Sequence, residues 1–266
     1  MAGTVAPDLD PDTLLLSKRK LILHERPFCW FYVDDYLPVQ LYETLAARFP
    51  HDGPYAANEE GKLGFRSSEA AADFDAFCDA DPAWAALVAF FRSDAFVRDV
   101  HRRLRAPLVS TRPVVARKPW VNDTQRPVSN DPLRYLLREP VRTTFQFSKL
   151  PRDAAVAPHT DAPRKLVSLM LYFRDPDWRD EWGGATGFYA PRDPARARGW
   201  SATQRVDFDE LEPIGEAAFR ANRLAGFVRS PASWHGVRPI GCPPGRGRKS
   251  LLVNLKRLKW SKRHDG

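Results

Sequence analysis

The chain has 266 residues, 43% of them hydrophobic, which is enough to bury the core of a single sizeable domain. Its three cysteines are far apart, so a disulfide framework is not expected, and no apolar run approaches the roughly 20 residues that a membrane span needs. The net charge of +8 would suit an anionic partner, but no zinc finger, recognition helix or RNA-binding aromatic signature accompanies it, so nucleic-acid binding is not expected. With no secretory signal visible, we expect a cytoplasmic protein without a membrane partner. The oligomeric state does not follow from the composition.

The N-terminal part of the chain predicts helices that would support a β-rich core, with residues 20–110 as the supporting region. Asp81 followed by Pro82 has the residue types of an N-cap and a first helical position, and apolar residues at helical spacing continue to about Arg105. Before this point we expect a loose N-terminus over residues 1–12 and one or two strands over residues 20–38. A helix over residues 39–49 and a loop over residues 51–68 should follow.

Two long segments without clean periodicity predict loops. Residues 117–140 contain four prolines, and residues 191–224 lie between two predicted strands. Long loops inside compact domains are often functional, so we expect both segments to flank the mouth of the core. They contain Trp120, Trp200 and several arginines, which would suit a small anionic substrate stacked on an aromatic ring.

A His-x-Asp motif at His159 and Asp161 is the first candidate for chemistry. Because alternate residues of a strand point to the same face, both side chains can project inward while Thr160 points away. The apolar run at residues 166–173 predicts a buried strand directly after the motif. The motif alone has little specificity, since the chain contains six histidines and surface loops and zinc hydrolases show the same pattern.

The second half of the candidate site lies downstream, where His235 follows a proline turn on a predicted strand. Two imidazoles and one carboxylate on neighbouring strands can occupy one face of an octahedral metal and leave three positions open. Arg248 and Ser250 share a face of the next predicted strand, so a guanidinium and a hydroxyl could hold one carboxylate together. This order of elements predicts a catalytic Fe(II) site at His159, Asp161 and His235, with a keto-acid co-substrate anchored by Arg248 and Ser250.

Over residues 141–258 the chain resembles the 2-oxoglutarate/Fe(II)-dependent oxygenases, in particular bacterial members that look like prolyl 4-hydroxylase catalytic domains. Residues 182–188 are similar to the Gly-Gly-x-Thr-x-Phe signature of that family, and residues 31–38 look like the opening of many such oxygenases. One departure concerns Arg248, because prolyl 4-hydroxylases generally have Lys at this position. The resemblance therefore does not imply prolyl hydroxylation itself.

The expected architecture is mainly β with supporting helices: one domain over residues 1–266, with a double-stranded β-helix, a cupin-like jelly roll, over residues 141–258. The resemblance implies Fe(II) as the metal and 2-oxoglutarate and O2 as co-substrates, with ascorbate as a stimulating reductant. Further candidates for the co-substrate pocket, for which an ordinary structural role in the strands is the alternative, are Gln146, Tyr172 and Thr186.

The expected activity is hydroxylation of an unactivated C–H bond of a small anionic molecule, with release of succinate and CO2. An amino acid, a natural-product intermediate or an acidic sugar would fit this description. Two alternatives stay open from the sequence. One is a peptidyl substrate of the prolyl type, and the other is a cupin-like metal-dependent isomerase or ligand-binding module that oxidises nothing.

Overall fold

In the long strands of the second half of the chain, buried apolar residues alternate with residues that point to the opposite face of the sheet. In the strand Gly247–Arg257, the side chains of Leu251, Val253 and Leu255 are fully buried in the larger apolar core. Arg248, Ser250, Leu252 and Asn254 alternate with them and point to the opposite face of the sheet, where Arg248, Leu252 and Asn254 line a pocket. One strand therefore supports the core with one face and a candidate site with the other.

The computed structural model describes residues 9–51, 53–123 and 137–258. Within these ranges the strands are β1 Ile22–His24, β2 Trp30–Val33, β3 Ala56–Ala57, β4 Leu63–Arg66, β5 Trp120–Asn122, β6 Glu139–Pro151, β7 Val156–His159, β8 Lys165–Phe173, β9 Thr186–Pro191, β10 Leu211–Ala217, β11 Leu224–Val228, β12 Trp234–Val237 and β13 Gly247–Arg257. The α-helices are α1 Val39–Ala47, α2 Ala71–Asp79, α3 Pro82–Phe91, α4 Asp94–Arg103, α5 Arg105–Thr111, α6 Pro113–Ala116 and α7 Pro194–Ala197. Short 3₁₀ helices occur at Pro11–Leu14, Leu16–Lys18, Asp180–Trp182 and Phe208–Glu210.

Two sheets pack face to face. The major sheet has the order β1-β2-β11-β8-β13-β6-β4-β3, and the minor sheet has the order β10-β9-β12-β7. Neighbouring strands run antiparallel except for β5, which pairs with β6 in parallel. Trp30 of the major sheet stacks on Phe188 of the minor sheet with ring centroids 4.5 Å apart, within an apolar layer shared by both sheets. The predicted jelly-roll class is confirmed.

The N-terminal helices cover the outer face of the major sheet. Trp84 of α3 is fully buried and meets Phe147 of β6 edge-on, with ring centroids 4.8 Å apart. Phe49, two residues after the end of α1, contacts the same Trp84 and also Phe173 of β8. These aromatic contacts hold the sheet from behind, so its opposite face is free to carry polar side chains.

Three predicted loops contain strands. Segment 51–68 includes β3 and β4, segment 117–140 includes β5 and the start of β6, and segment 191–224 includes α7 and β10. β10 contains Pro213 and Gly215 and is an edge strand of the minor sheet. A proline, which has no N–H to donate, is tolerated in an edge strand. Residues 124–136 of the predicted loop at 117–140 lie outside the described residues, as do residues 1–8, residue 52 and the basic tail from 259 onwards.

The predicted N-cap at Asp81 is confirmed. Its Oδ1 accepts hydrogen bonds from the backbone N–H groups of Ala83 and Trp84 at 2.9 and 3.3 Å, and Pro82 takes the first helical position. We expect Asp81→Ala to lower the free energy of unfolding by about 1–2 kcal/mol, measured by denaturant titration. Asp79→Ala is the control, because Asp79 is exposed at the end of α2, and an equal loss in this variant would contradict a capping role.

No helix within the described ranges combines the length and the apolar character that crossing a membrane would require. All three cysteines are free and buried. Their thiols therefore act as small packing groups in the described structure.

Candidate metal centre

Two histidines face each other across a pair of short strands. His159 at the end of β7 is the direct cross-strand partner of His235 on β12, and the ring centroids are 4.5 Å apart. Each Nδ1 lies next to a backbone carbonyl two residues earlier, that of Ala157 at 2.9 Å and that of Ser233 at 3.0 Å. Since a carbonyl can only accept, each Nδ1 carries a proton, and both Nε2 lone pairs are left for another ligand.

Asp161 completes a group of three. One ligand atom from each of Asp161, His159 and His235 lies within 4.8 Å of the other two, and the described residues contain no second group of this kind. The Asp161 Oδ1 accepts from the Lys165 ammonium at 2.6 Å and Oδ2 accepts from the Ser168 hydroxyl at 2.6 Å. These two donors fix the orientation of the carboxylate, which still has lone pairs for a cation.

The electrostatics of this group suit a divalent metal. Burial, reinforced by the neighbouring His159, lowers the pKa of His235 to about 3, and burial also lowers the pKa of His159. Burial alone would raise the pKa of Asp161, but Lys165 and the two histidines outweigh it and hold the pKa well below its usual range. At neutral pH the group therefore offers two neutral imidazoles and one carboxylate. This donor set, with three coordination positions left open, fits Fe(II).

A buried guanidinium lies in the same pocket. Arg248 is 3% exposed, and its Nε donates to the Gly184 carbonyl at 2.7 Å. Its Nη1 and Nη2 donate to the hydroxyls of Ser250 and Thr186 at 3.2 and 3.1 Å, and its charge lies 4.8 Å from the centre of the Tyr172 ring. Three of the five N–H groups of a guanidinium are thus engaged. No described carboxylate pairs with Arg248, so the pocket holds a positive charge that an anionic ligand could neutralise.

The structure brings the predicted site residues together. His159, Asp161, His235, Arg248, Gln146 and Thr186 line one pocket. Two further predicted residues, Tyr172 and Ser250, contact Arg248 from behind the pocket wall. The Gln146 Nε2 is buried without a hydrogen-bond partner, so this amide can still donate to a ligand.

Four polar pocket residues were not predicted, namely Lys62, Lys165, Ser168 and Asn254. Strand parity could have identified Ser168 and Asn254, because each shares a face with a predicted site residue. Lys62 precedes β4 and lies far from the other residues in the sequence, so no local pattern indicates it. Burial and the nearby cations Lys165 and Arg248 lower the pKa of Lys62 to about 7.

The predicted aromatic substrate contacts are not at this pocket. Trp120 is fully buried in the larger core, and its indole N–H donates to the Val115 carbonyl, so the expectation that a substrate stacks on it is wrong. Trp200 packs edge-on against Trp234 on the minor sheet, with ring centroids 5.0 Å apart, and lines other clefts. Neither tryptophan is among the residues that line the metal pocket.

Residues 145–256 match the family model of the 2OG-Fe(II) oxygenase superfamily, and these residues contain the two histidines, the aspartate and the buried arginine. Over residues 145–256 the chain is a 2OG-Fe(II) oxygenase domain. As a 2OG-Fe(II) oxygenase it is a 2-oxoglutarate-dependent dioxygenase that requires Fe(II), 2-oxoglutarate and O2. The prediction of the family and of its cofactors is confirmed.

No curated protein sequence matches this oxygenase. Among solved structures, it is similar to a prolyl-4-hydroxylase from Pseudomonas putida, with 18% identity, a TM-score of 0.45 and coverage of 86% of this chain and 92% of the other. HygX from Streptomyces hygroscopicus, solved with nickel and 2-oxoglutarate bound, shows 13% identity, a TM-score of 0.44 and coverage of 86% and 82%. The α-ketoglutarate-dependent epimerase SnoN from nogalamycin biosynthesis shows 12% identity, a TM-score of 0.47 and coverage of 86% and 78%.

Proposed function

We propose that this oxygenase hydroxylates an unactivated C–H bond of a small anionic substrate, with His159, Asp161 and His235 as the Fe(II) ligands. Arg248, assisted by Ser250, would anchor the distal carboxylate of 2-oxoglutarate. The observation that carries the proposal is the buried Arg248 without a carboxylate partner, in the same pocket as the His-Asp-His group. A buried cation is costly unless it is paired, so this position calls for an anion.

When bound, Fe(II) together with 2-oxoglutarate and O2 supplies the oxidising power for C–H cleavage, with succinate and CO2 as by-products. The protein supplies geometry. Thr186 accepts hydrogen bonds from both Tyr172 and Arg248, which keeps the guanidinium in one orientation. The Ser168 hydroxyl donates to the Asp161 carboxylate and keeps that carboxylate in one orientation. The apolar wall that would exclude water from the reacting atoms consists of Leu150, Val156, Met170, Phe227, Val237 and Leu252.

The charge of the pocket favours an anionic substrate. Lys165 and Arg248 line it together with Lys62, which is partly charged at neutral pH because its pKa is lowered to about 7, against the single carboxylate of Asp161. The two carboxylates of 2-oxoglutarate would balance the two charges of the metal, so the cations would still outnumber the anions. A substrate that carries a carboxylate or phosphate would correct this imbalance, whereas a neutral prolyl peptide would not.

The charged arginine also bears on the alternative that the protein is an isomerase or a binding module. Such a protein has no need for a buried cation held by Ser250 and Thr186 on the far side of the metal pocket. Anchoring a second carboxylate is a need of an enzyme that consumes 2-oxoglutarate.

A spectroscopic experiment tests the proposed metal and co-substrate sites. Adding 2-oxoglutarate to the Fe(II)-loaded protein under anaerobic conditions is expected to produce a weak visible metal-to-ligand charge-transfer band, because the keto acid would chelate the metal. Succinate, which lacks the keto group, is the matched control and should give no band. Metal-replete protein that shows no band with 2-oxoglutarate would favour the binding-module alternative.

The substrate is tested by a screen for succinate formation across amino acids, acidic sugars and proline-containing peptides. We expect turnover with an anionic small molecule, accompanied by a product mass gain of one oxygen atom. Turnover with a peptide alone would contradict the proposed substrate class and leave the metal assignment intact.

A further inference from the structure

Three cations lie side by side on neighbouring strands of the major sheet. Lys256 of β13 is the direct cross-strand partner of Arg142 on β6 and of Lys165 on β8. All three side chains line the same cleft. Lys165 is already paired with Asp161 of the metal group at 2.6 Å. Like charges directly opposite each other in a sheet are destabilising, so the alignment of Lys256 with Arg142 and Lys165 gives folding no benefit. We call Arg142, Lys256 and Lys165 the cation row.

The cleft at the cation row has a volume of about 720 Å³ and is strongly basic. Its charged lining comprises Arg92, Arg142, Arg164, Lys165, Lys256, Arg257 and one carboxylate, Asp75. Asp75 already pairs with Arg92 at 2.8 Å, and Glu139 outside the cleft pairs with Arg257 at 2.8 Å. Within the described residues, Lys256 pairs with no carboxylate, and Arg142 reaches only Asp123 at 3.9 Å.

Neutral donors also line this cleft. The side-chain oxygens of Thr143 and Thr144 are buried, and neither has a hydrogen-bond partner among the described residues. Adjacent residues of a strand point to opposite faces, so only Thr144 shares a face of β6 with Arg142. Buried hydroxyls are normally satisfied, so the Thr144 hydroxyl on the face of the cation row points to a missing ligand that accepts hydrogen bonds.

The cleft reaches the metal pocket from the side opposite Arg248. Along the pocket face of β13 the order is Arg248, Ser250, Leu252, Asn254 and Lys256, which places the two ends about 26 Å apart at 3.3 Å per residue. The Asn254 side chain lies 3.2 Å from the Ser168 hydroxyl, which donates to Asp161, so the metal group lies between the two ends. Lys165 lines both the metal pocket and the cleft, which makes the two cavities neighbours.

We infer that the cation row binds the phosphate group of a phosphorylated small-molecule substrate, with Arg142 and Lys256 as its ligands. The carbon to be oxidised would reach the metal pocket past Lys165. Several cations together with a hydroxyl donor match a dianion with many acceptor oxygens better than a single carboxylate. The volume suits a metabolite, since small-molecule sites occupy about 300–1,000 Å³. The inference rests on the proposed function for the identity of the reaction. The phosphate-binding site itself is independent of that function.

The test measures the binding of glycerol phosphate, with glycerol as the matched neutral probe, to the 266-residue chain loaded with Fe(II) and 2-oxoglutarate under anaerobic conditions. We expect glycerol phosphate to bind, and Lys256→Gln and Arg142→Gln each to weaken it by about tenfold or more, because each removes a charge-assisted contact. Arg196→Gln is the charge-matched control. Arg196 pairs with Glu210 at another cleft, so affinity should stay within about twofold of the parent.

Stability supplies a readout that a merely structural lysine would not give. Without phosphate, Lys256→Gln should be at least as resistant to thermal unfolding as the parent protein, because the substitution removes repulsion from Arg142 and Lys165. With glycerol phosphate, the parent should gain stability and the variant should not. A loss of stability in Lys256→Gln without phosphate would overturn the inference.

The inference would also be overturned if glycerol phosphate did not bind to the parent, or if Arg196→Gln lost as much affinity as the cation-row variants. It would equally be overturned if the parent bound an oligonucleotide tightly and glycerol phosphate not at all, and the cation-row variants lost the oligonucleotide binding. The charge-transfer band with 2-oxoglutarate distinguishes failure of the phosphate site from failure of the proposed function. A normal band without phosphate binding rejects the cation-row site alone. Phosphate binding without a band rejects the proposed reaction and leaves the anion site standing.

Discussion

Replacing His235 with alanine is expected to abolish Fe(II)-dependent formation of succinate from 2-oxoglutarate. The variant keeps one imidazole and one carboxylate, which cannot hold the metal in a three-ligand face. Measured iron content should fall together with activity, and His159→Ala should behave in the same way. His51→Ala is the matched control, because His51 is exposed and outside the pocket.

Ser168→Ala provides an intermediate case. Its hydroxyl does not belong to the proposed ligand set but orients the Asp161 carboxylate at 2.6 Å. Loss of such an outer contact typically costs about 10–100-fold in metal affinity or activity, so this variant should lie between the parent and His235→Ala. Full activity in either histidine variant, with the fold intact by circular dichroism, would refute the metal assignment.

Arg248→Lys is expected to raise the KM for 2-oxoglutarate by about 10–100-fold while iron binding stays nearly unchanged. Lysine keeps the positive charge, but its single ammonium cannot reproduce the contacts of the guanidinium with Gly184, Ser250 and Thr186. The measurement is succinate formation against 2-oxoglutarate concentration, together with an iron titration.

Lys249→Gln is the neighbouring control for this prediction. Lys249 is next to Arg248 in the chain but pairs with Asp175 and does not line the pocket. Its substitution should leave the KM for 2-oxoglutarate unchanged. An unchanged KM in Arg248→Lys would remove the main support for 2-oxoglutarate anchoring at this residue and favour an isomerase or a binding module.

The sequence was most informative where function depends on local spacing. His159 and Asp161 are two residues apart, as are Arg248 and Ser250, and a period of two is enough to place each pair on one face of a strand. The order of these two pairs on either side of His235 is sufficient to predict a metal site. The structure brings its three candidate ligands together.

Features that depend on cross-strand register could not be predicted in this way. The cation row exists because β13 lies between β6 and β8, which aligns Lys256 with residues more than 90 positions away. Lys62 reaches the pocket for a similar reason, through the pairing of β4 with β6. No window along the chain contains this information, since register is set by packing of the whole sheet.

Trp120 illustrates a different limit. Its position in a proline-rich segment suggested an exposed ring, but parallel pairing of β5 with the start of β6 carries it into the core. The strand has only three residues, too few for alternation to become visible in the sequence.

The direct pairing of His159 with His235 has an evolutionary consequence. Both imidazoles are positioned by the ladder between β7 and β12, while the chain that joins these strands passes through β8–β11 and the connecting segments around α7. Insertions in the segments around α7 would leave that ladder intact, because long surface insertions cost little in stability. A shift of either strand by one residue would instead turn a histidine away from its partner. Relatives could therefore acquire new substrate preferences by changing the length of these segments while the two histidines keep their alignment.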